Sequence, residues 1–192
     1  MASILYSANA TVYIAARTES KAISAIQSIK TAHPASEGTI HFLKLDLSDL
    51  STIKTSAEEF LQKSDRLDVL INNAGVMVPG PGAKGAQGYE LQYVTNILGP
   101  YLFTKLLLPL LRKTVAGNAK GAVRVCWASS TATDLVTSKG GMTFAEDGSP
   151  ICKGQGGGPH EYGVSKSANY FLGYEFGKRY GNGDGVLHNV SP

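Results

Sequence analysis

Short apolar runs alternate with longer amphipathic segments along the whole chain. Five runs are apolar or β-branched and of strand length, and they predict strands over residues 11–16, 39–45, 67–71, 122–128 and 185–190. Between them, apolar residues recur at helical spacing and predict helices over residues 19–31, 48–62, 89–111 and 161–180. Because strands that are apolar on both faces alternate with helices, the pattern indicates an α/β fold with a parallel sheet covered on each side.

Local signals mark where several of these elements begin and end. Ser48 is the predicted N-cap of the helix at 48–62, with Ser51 as a competing start. Pro109 is expected to end or kink the helix at 89–111. Residues 131–159 are rich in glycine and are predicted to form a long loop, which usually means function or mobility. No internal repeat is present, so residues 1–192 are predicted to form a single domain.

Composition narrows the classes of function. The 192 residues carry a net charge of +3, and the 18 basic residues are scattered, so nucleic acid is not an expected partner. The most apolar stretch, residues 101–111, is too short to cross a bilayer, so no membrane span is expected. Cys126 and Cys152 make no metal or disulfide pattern, and the N-terminus has no signal-peptide pattern. A cytoplasmic location and the absence of a metal site are therefore expected.

Tyr162 and Lys166 form a Y-x-x-x-K pair on the last predicted helix. Residues four apart lie on the same helix face, so a phenol and an ammonium are expected to project into one site. A phenol has an ordinary pKa of about 10, and a nearby cation lowers that pKa toward the range useful for proton transfer. The spacing also arises by chance on exposed helices, so the pair gains its meaning from the rest of the chain.

Polar or small residues follow four successive predicted strands. They are Arg17, Asp46, the run from Asn72 through Asn73 and Ala74 to Gly75, and the pair Ser129 and Ser130. Singly, each has an ordinary explanation as a surface charge, a helix-terminal charge or a turn. Because ligands of open parallel sheets bind at the carboxyl ends of the strands, the set together predicts a nucleotide site. The G-x-G-x-x-G match from Gly80 to Gly85 contains Pro81 and lies after the third strand, so it is interpreted as a flexible loop.

The combination of these motifs resembles the short-chain dehydrogenase/reductase family over nearly the whole chain. The matching residues are L-D-L-S ending at Ser48, N-N-A-G ending at Gly75, Asn96, the serine pair, and Y-x-x-x-K. Residues 92–100 and the long interval from Ser130 to Tyr162 are most similar to the retinol-dehydrogenase-like branch. The resemblance implies a Rossmann-like, doubly wound parallel sheet and an NAD(P)-dependent oxidoreductase that interconverts a small-molecule alcohol with a ketone or aldehyde.

The resemblance also implies roles for the polar residues. Tyr162 would be the general acid/base, and Lys166 would lower the pKa of Tyr162 and hold the nicotinamide ribose. Ser130, the second serine of the pair rather than Ser129, would donate a hydrogen bond to the substrate oxygen. Asn96 would place a water behind Lys166 as a proton relay.

The predicted cofactor is NADP(H) rather than NAD(H). The family position that binds the ribose 2′-hydroxyl through a carboxylate holds Ala16 here, and Arg17 follows it, which suits a 2′-phosphate. By resemblance, Asp46 and Leu47 would contact the adenine. The residues expected beside the adenine ribose are Asn73, Ala74 and Gly75.

The chain departs from the family pattern at both ends. It lacks the first strand with its T-G-x-x-x-G-x-G turn, residues 1–7 resemble the end of the helix that follows that turn, and residues 189–192 resemble the start of the segment before the last strand. The expected sheet therefore lacks its first and last strands, with unpaired edges between the strands at 11–16 and 67–71. This leaves open a truncated, catalytically inactive chain that acts at most as an interaction partner.

Two further expectations follow from the resemblance. A homodimer would form through the helices at 89–111 and 161–180, which mediate dimers in the family. A sugar-nucleotide epimerase is a third alternative because related epimerases share Y-x-x-x-K, but the N-N-A-G run and the short chain count against it.

Overall fold

The computed structural model describes residues 1–148, 150–151, 156–181 and 185–191. The strands are β1 Thr11–Ala16, β2 Thr39–Lys44, β3 Val69–Asn72, β4 Arg124–Ala128 and β5 Leu187–Ser191. The α-helices are α1 Ala2–Ser7, α2 Glu19–Ala32, α3 Leu50–Lys63, α4 Leu91–Tyr93, α5 Gly99–Val115, α6 Ala132–Val136 and α7 Pro159–Phe176. Two π-helical turns, Val94–Leu98 and Gly177–Gly181, join α4 to α5 and follow α7.

All the strand pairs in the described residues are parallel, which confirms the predicted α/β, Rossmann-like class. β1 pairs with β2, with Thr11 opposite Thr39 and Ala16 opposite Lys44. β3, β4 and β5 form a second sheet in that order. Within the described part of the chain, no ladder joins the two sheets, as expected from the departure from the family pattern. One consequence is that Val69, at the start of the apolar strand β3, is 41% exposed.

A hydrophobic cluster connects the two sheets. Its buried side chains come from β2, α3 and α5, and include Leu43, Phe60 and Leu107. Tyr13 of β1 and Leu70 of β3 pack against this one cluster from different sheets. Burying each large apolar side chain contributes roughly 1.5–3 kcal/mol, so the cluster is a major source of stability. The two sheets are therefore connected by side-chain packing in this cluster, although backbone hydrogen bonds do not join them.

The predicted N-cap at Ser48 is wrong, and of the two outcomes predicted for Pro109 the helix end is excluded, each for a physical reason. Asp49, not Ser48, is the N-cap of α3, because the Asp49 carboxylate accepts the Ser51 amide at 3.0 Å. The Ser48 hydroxyl instead donates to Asp46 Oδ1 at 2.6 Å. The helix through Pro109 does not end there but continues to Val115. Burial of the leucines around Pro109 offsets the roughly 3 kcal/mol cost of an internal proline.

The predicted loop at 131–159 contains a short helix, α6. It packs closely on α7, because a Cβ at Gly163 would lie 2.6 Å from Val136 Cγ2 and 2.9 Å from the Ala132 carbonyl oxygen. Glycine at this position therefore allows the approach. Parts of the predicted loop, with Cys152, lie outside the described residues. Residues 80–85 form a loop, as interpreted from the sequence.

The stretch 101–111, judged too short for a membrane span, belongs to a longer continuous helix, Leu91–Val115. This longer helix has 25 residues and is long and apolar enough to cross a membrane by those two criteria. However, 61% of its apolar window is buried inside the protein, as is usual for a core helix. The helix is thus weak evidence for a membrane span.

Candidate active site

Helix α7 is fixed to the carboxyl end of β4. It begins with Pro159, whose fixed φ suits a first helical turn, and the Gly158 amide donates to the Glu161 carboxylate at 3.1 Å. Further along the helix, Lys166 Nζ and Asn169 Nδ2 both donate to the Ala128 carbonyl oxygen, at 3.0 and 2.9 Å. Ala128 is the last residue of β4, so these two bonds position the helix at the edge of the sheet.

Tyr162 and Lys166 lie together, as the four-residue spacing predicts. Lys166 Nζ is 5.7 Å from the centre of the Tyr162 ring. Lys166 is only 5% exposed, and this burial lowers the pKa of its ammonium from the ordinary value of 10.5. Tyr162 is half-buried, and its hydroxyl makes no hydrogen bond to the described residues. The phenol is therefore free to bond to a ligand.

The two serines after β4 have different surroundings. Ser129 Oγ donates to the Lys166 carbonyl oxygen at 3.0 Å, and so helps to fix α7. Ser130 Oγ accepts the Ala132 amide at 3.2 Å, which leaves its hydroxyl proton available. A cavity of about 700 Å³ opens beside Ser130; most of its lining comes from α6, the segment after it and α7. Ser129 also lines this cavity, whereas Tyr162 and Lys166 are not among its lining residues, so the choice of Ser130 rests on its available proton and stays a prediction.

Asn96 lies in the π-helical turn, a rare geometry that is frequent at functional sites. Its side chain is 1% exposed and is fully engaged by protein groups. Asn96 Oδ1 accepts the Val76 amide at 2.8 Å, and Nδ2 donates to the Val76 carbonyl oxygen and to Ser165 Oγ, both at 2.9 Å. A Cβ at Gly75 would lie 2.9 Å from Asn96 Oδ1. Asn96 thus links the N-N-A-G segment to α7, while its role in holding a water stays a prediction.

The residues predicted to hold the adenosine part of a cofactor lie on three loops. Arg17 is exposed directly after β1. Asp46 is engaged locally, since its Oδ1 accepts the Ser48 amide at 2.9 Å. Leu47 packs on the start of α5, where a Cβ at Gly99 would lie 2.6 Å from the Leu47 carbonyl oxygen. The three residues of the turn after β3 are all exposed: Asn73, Ala74 and Gly75.

Two residues of this region escaped the sequence analysis. Lys44, the last residue of β2, lies opposite Ala16, and its Nζ donates to the Arg17 carbonyl oxygen. The parallel pairing of the two predicted strands could have revealed it, because their carboxyl ends are adjacent. Gln92 is fully buried at the start of the long helix. Its signal was the spacing of two amides, Gln92 and Asn96, which are four residues apart and so share one helix face.

Comparison with known proteins agrees with this geometry. Residues 1–140 match the family model described as short chain dehydrogenase. A curated protein from Phomopsis amygdali, described as a short-chain dehydrogenase/reductase, is 47% identical over 193 aligned residues. That alignment covers 97% of this chain and 55% of the relative, and the chain spans about half the length of the curated relatives it matches.

Solved structures show the same fold. The Pseudomonas aeruginosa RhlG/NADP active-site complex is similar with a TM-score of 0.72 and 26% identity, over 98% of this chain and 64% of that chain. A short-chain dehydrogenase from Sphingobium yanoikuyae in complex with NADPH has a TM-score of 0.70 at 16% identity, over 98% of this chain and 63% of that chain. The family model, the curated relative and the arrangement around Tyr162 agree: this chain belongs to the short-chain dehydrogenase/reductase family.

Proposed function

We propose that this chain is an NADP(H)-dependent oxidoreductase that interconverts a small-molecule alcohol with a ketone or aldehyde. The observation that carries the proposal is the position of the Tyr162 ring, whose centre lies 5.7 Å from the ammonium of the buried Lys166. The similarity of residues 92–100 to the retinol-dehydrogenase-like branch supports a place there within the family.

The chemistry divides between the cofactor and the protein. When bound, a nicotinamide cofactor supplies or accepts the hydride. Tyr162 gives a proton to the substrate oxygen, or takes it, through its hydroxyl, and the Lys166 ammonium stabilises negative charge on the phenol oxygen. Ser130 donates a hydrogen bond to the substrate oxygen, where charge develops during reaction. Asn96 keeps the N-N-A-G segment and α7 in register through Val76 and Ser165.

The residues around the adenosine site fit a phosphorylated ribose. Arg17 and Lys44 bring two cations to the ends of β1 and β2, where a 2′-phosphate would lie. The turn from Asn73 to Gly75 offers an exposed surface for the ribose, and Asp46 with Leu47 would border the adenine. The NADP complex of the Pseudomonas aeruginosa relative supports the same choice of cofactor.

Fluorescence titration with NADPH and NADH tests the proposal directly. We expect NADPH to bind at least about tenfold more tightly than NADH, because one charge-assisted contact to the 2′-phosphate is enough for that ratio. Arg17→Glu should remove the preference, since it places a carboxylate beside the phosphate. The absence of NADPH binding up to about 1 mM would overturn the proposal for this chain.

Turnover tests the catalytic pair. With a panel of aldehydes and ketones, Lys166→Met should lower NADPH oxidation by about 10²-fold or more, because the charge beside Tyr162 is lost. Lys178→Met removes an exposed lysine from the turn after α7 and is the matched control. Equal turnover in the two variants would show that Lys166 has no part in the reaction.

A non-catalytic interaction partner is a second candidate, favoured by the open sheet and by an exposed aromatic surface. Tyr170, Phe171 and Tyr174 of α7 are 54%, 41% and 60% exposed, and Tyr101 of α5 is 41% exposed. These lie on the two helices for which a homodimer is proposed. Light scattering after size exclusion should show a dimer that Tyr170→Ser with Tyr174→Ser converts to monomer. A wild-type monomer would contradict the dimer.

A further inference from the structure

Gln92 is a completely buried amide, with an exposed fraction of 0%. It lies one turn before Asn96, in α4, where most of the neighbouring buried positions are apolar. Burying an unpaired amide would cost several kcal/mol, so a glutamine is kept in such a place only when its polar atoms are bonded.

The side chain of Gln92 bonds three separate parts of the chain. Its Oε1 accepts the Val78 amide at 3.0 Å, in the segment that follows N-N-A-G. Its Nε2 donates to the Gly158 carbonyl oxygen at 3.1 Å, at the residue that precedes α7. The same Nε2 is 3.2 Å from Glu90 Oε1, and this contact fixes the amide at the start of α4. One side chain therefore joins the cofactor-side segment to the helix that carries Tyr162.

The two segments are also pressed together beside these bonds. Val78 has a φ of +48°, which is strained for a β-branched residue and persists only where the surroundings enforce it. The Gly80 amide donates to the Gly157 carbonyl oxygen at 3.3 Å. Gly157 has a φ of +74°, and a Cβ there would overlap the Gly80 backbone. The backbone next to Gln92 is thus held in an unusual arrangement.

We propose that Gln92 is a positioning residue that couples residues 76–80 to the N-terminus of α7. Rotation of the Gln92 amide, or its loss, releases the Val78 amide and the Gly158 carbonyl together. The distance between the cofactor-side turn and Tyr162 then depends on Gln92, although Gln92 touches neither substrate nor cofactor. This consequence for catalysis rests on the proposed function, whereas the coupling itself does not.

The test compares Gln92→Met with Gln87→Met. Gln87 also accepts a backbone amide, from Leu50 at 3.0 Å, and donates to Asp49 at 2.8 Å, but it lies at the start of α3 away from α7. Methionine keeps the length of the side chain and removes its donors and acceptor in both variants. The two substitutions therefore delete the same kinds of bond, at a buried position for Gln92 and at an exposed one for Gln87.

Hydrogen exchange followed by mass spectrometry reads the coupling. Gln92→Met should speed amide exchange about tenfold in both 76–80 and 157–160, since one buried hydrogen bond is worth about 1 kcal/mol or more. Faster exchange in only one segment of Gln92→Met, or equal effects in Gln87→Met, would overturn the coupling.

NADPH affinity separates positioning from a purely structural role. Well below the melting temperature, Gln92→Met should weaken NADPH binding by about tenfold while Gln87→Met leaves it unchanged. If both variants lost a similar amount of melting temperature but bound NADPH as tightly as the wild type, Gln92 would only stabilise the fold. If the wild-type chain itself fails to bind NADPH, the proposed function fails, and the exchange experiment still decides the coupling.

Discussion

At the residue scale, the adjacent residues Ser129 and Ser130 are expected to have different roles, Ser129 in the stability of the fold and Ser130 in the reaction. Ser129 donates to the backbone of α7, whereas Ser130 keeps its proton free beside the cavity. We expect Ser129→Ala to lower the free energy of unfolding by about 0.5–1.5 kcal/mol, the usual net value of one hydrogen bond. Ser130→Ala removes the acceptor of the Ala132 amide, so it should cost no more stability than Ser129→Ala, but it should lower turnover by about 10²-fold, the usual effect of losing one donor to a developing oxyanion.

Urea unfolding and steady-state rates on the same two variants check this division. Each of the two variants is the control for the other, because the substitution is identical and the positions are neighbours. A large loss of turnover in Ser129→Ala without a loss in Ser130→Ala would reverse the assignment of the two roles.

Protonation of His188 is expected to make the stability of the fold depend on pH. Burial lowers the pKa of His188 from 6.5 to about 4. Trp127 Nε1, which can only donate, lies 3.4 Å from His188 Nδ1, so the neutral imidazole accepts at Nδ1 and carries its proton on Nε2. His188 Nε2 is buried without a hydrogen-bond partner among the described residues. Protonation of the ring would put a charge in an aromatic environment and remove the acceptor for Trp127.

The sign of the pH effect follows from this lowered pKa. Between pH 6.5 and about 4 the unfolded chain binds a proton that the folded chain does not, so stability falls as the pH falls through that interval. Because the ring is only partly buried and water screens the charge, the expected loss is about 1–2 kcal/mol. Urea unfolding at several pH values should show it in the wild type and not in His188→Gln. His41→Gln, an exposed control, should keep the wild-type slope; loss of the slope there would assign the effect elsewhere.

At the element scale, the packing of α7 on the second sheet depends on a glycine. A Cβ at Gly173 would overlap Val190 and would lie 3.2 Å from Trp127 Cδ1, so Gly173→Ala must move the helix, Val190 or the indole. We expect a destabilisation of about 1–3 kcal/mol, typical of overpacking a core. Trp127 is the only tryptophan, so its emission should shift with the substitution.

Gly177→Ala is the matched control for this prediction. A Cβ at Gly177 would meet only His188 Cβ, at an ordinary 3.7 Å. Its emission spectrum should therefore equal that of the wild type. A Gly173→Ala variant with wild-type stability and emission would show that α7 can move without cost, and the tight placement of Lys166 at β4 would no longer follow.

Strands were easier to predict than helix limits and loops. β1 and the start of β2 agree with the predicted limits, because an apolar run between polar residues is a local signal. The passage of α5 through Pro109 depends on tertiary packing, because the leucines around it are buried only in the folded protein. The cap of α3 was a local choice between neighbouring residues, decided by the bonds of Ser48 to Asp46 and of Asp49 to Ser51. Helix α6 has five residues and no apolar periodicity, so it left no pattern in the sequence.

The site shows the same division between local and distant signals. The four-residue spacing brought Tyr162 and Lys166 together in advance, and the family resemblance added Asn96. Lys44 and Gln92 matter only through partners that are distant along the chain, Arg17 for one and Gly158 for the other. A single sequence carries no signal for which distant backbone group a buried amide will meet.

At the scale of the whole molecule, a side-chain core compensates for an interrupted sheet. The cluster around Leu107 is the structural link between the strands that carry Arg17 and those that carry Ser130. A second cluster surrounds Trp127 on the side of β3, β4 and β5, and a third, with Ile26, covers β1 and β2. Because the first cluster touches both sheets, loss of either sheet exposes apolar surface of the other.

This arrangement predicts that the two sheets unfold in one transition. Trp127 fluorescence reports on the second sheet, while circular dichroism reports on all helices and strands, and their urea midpoints should coincide. Leu107→Ala should lower both urea midpoints together, because the cavity that the substitution creates lies in the shared cluster. The free energy of unfolding should fall by about 2–5 kcal/mol. Ile26→Ala, in the cluster of the first sheet, should also move both. If Ile26→Ala shifted only the dichroism while Trp127 kept its native emission, the sheets would be independent units, and the geometry between Arg17 and Tyr162 would not be fixed by the core.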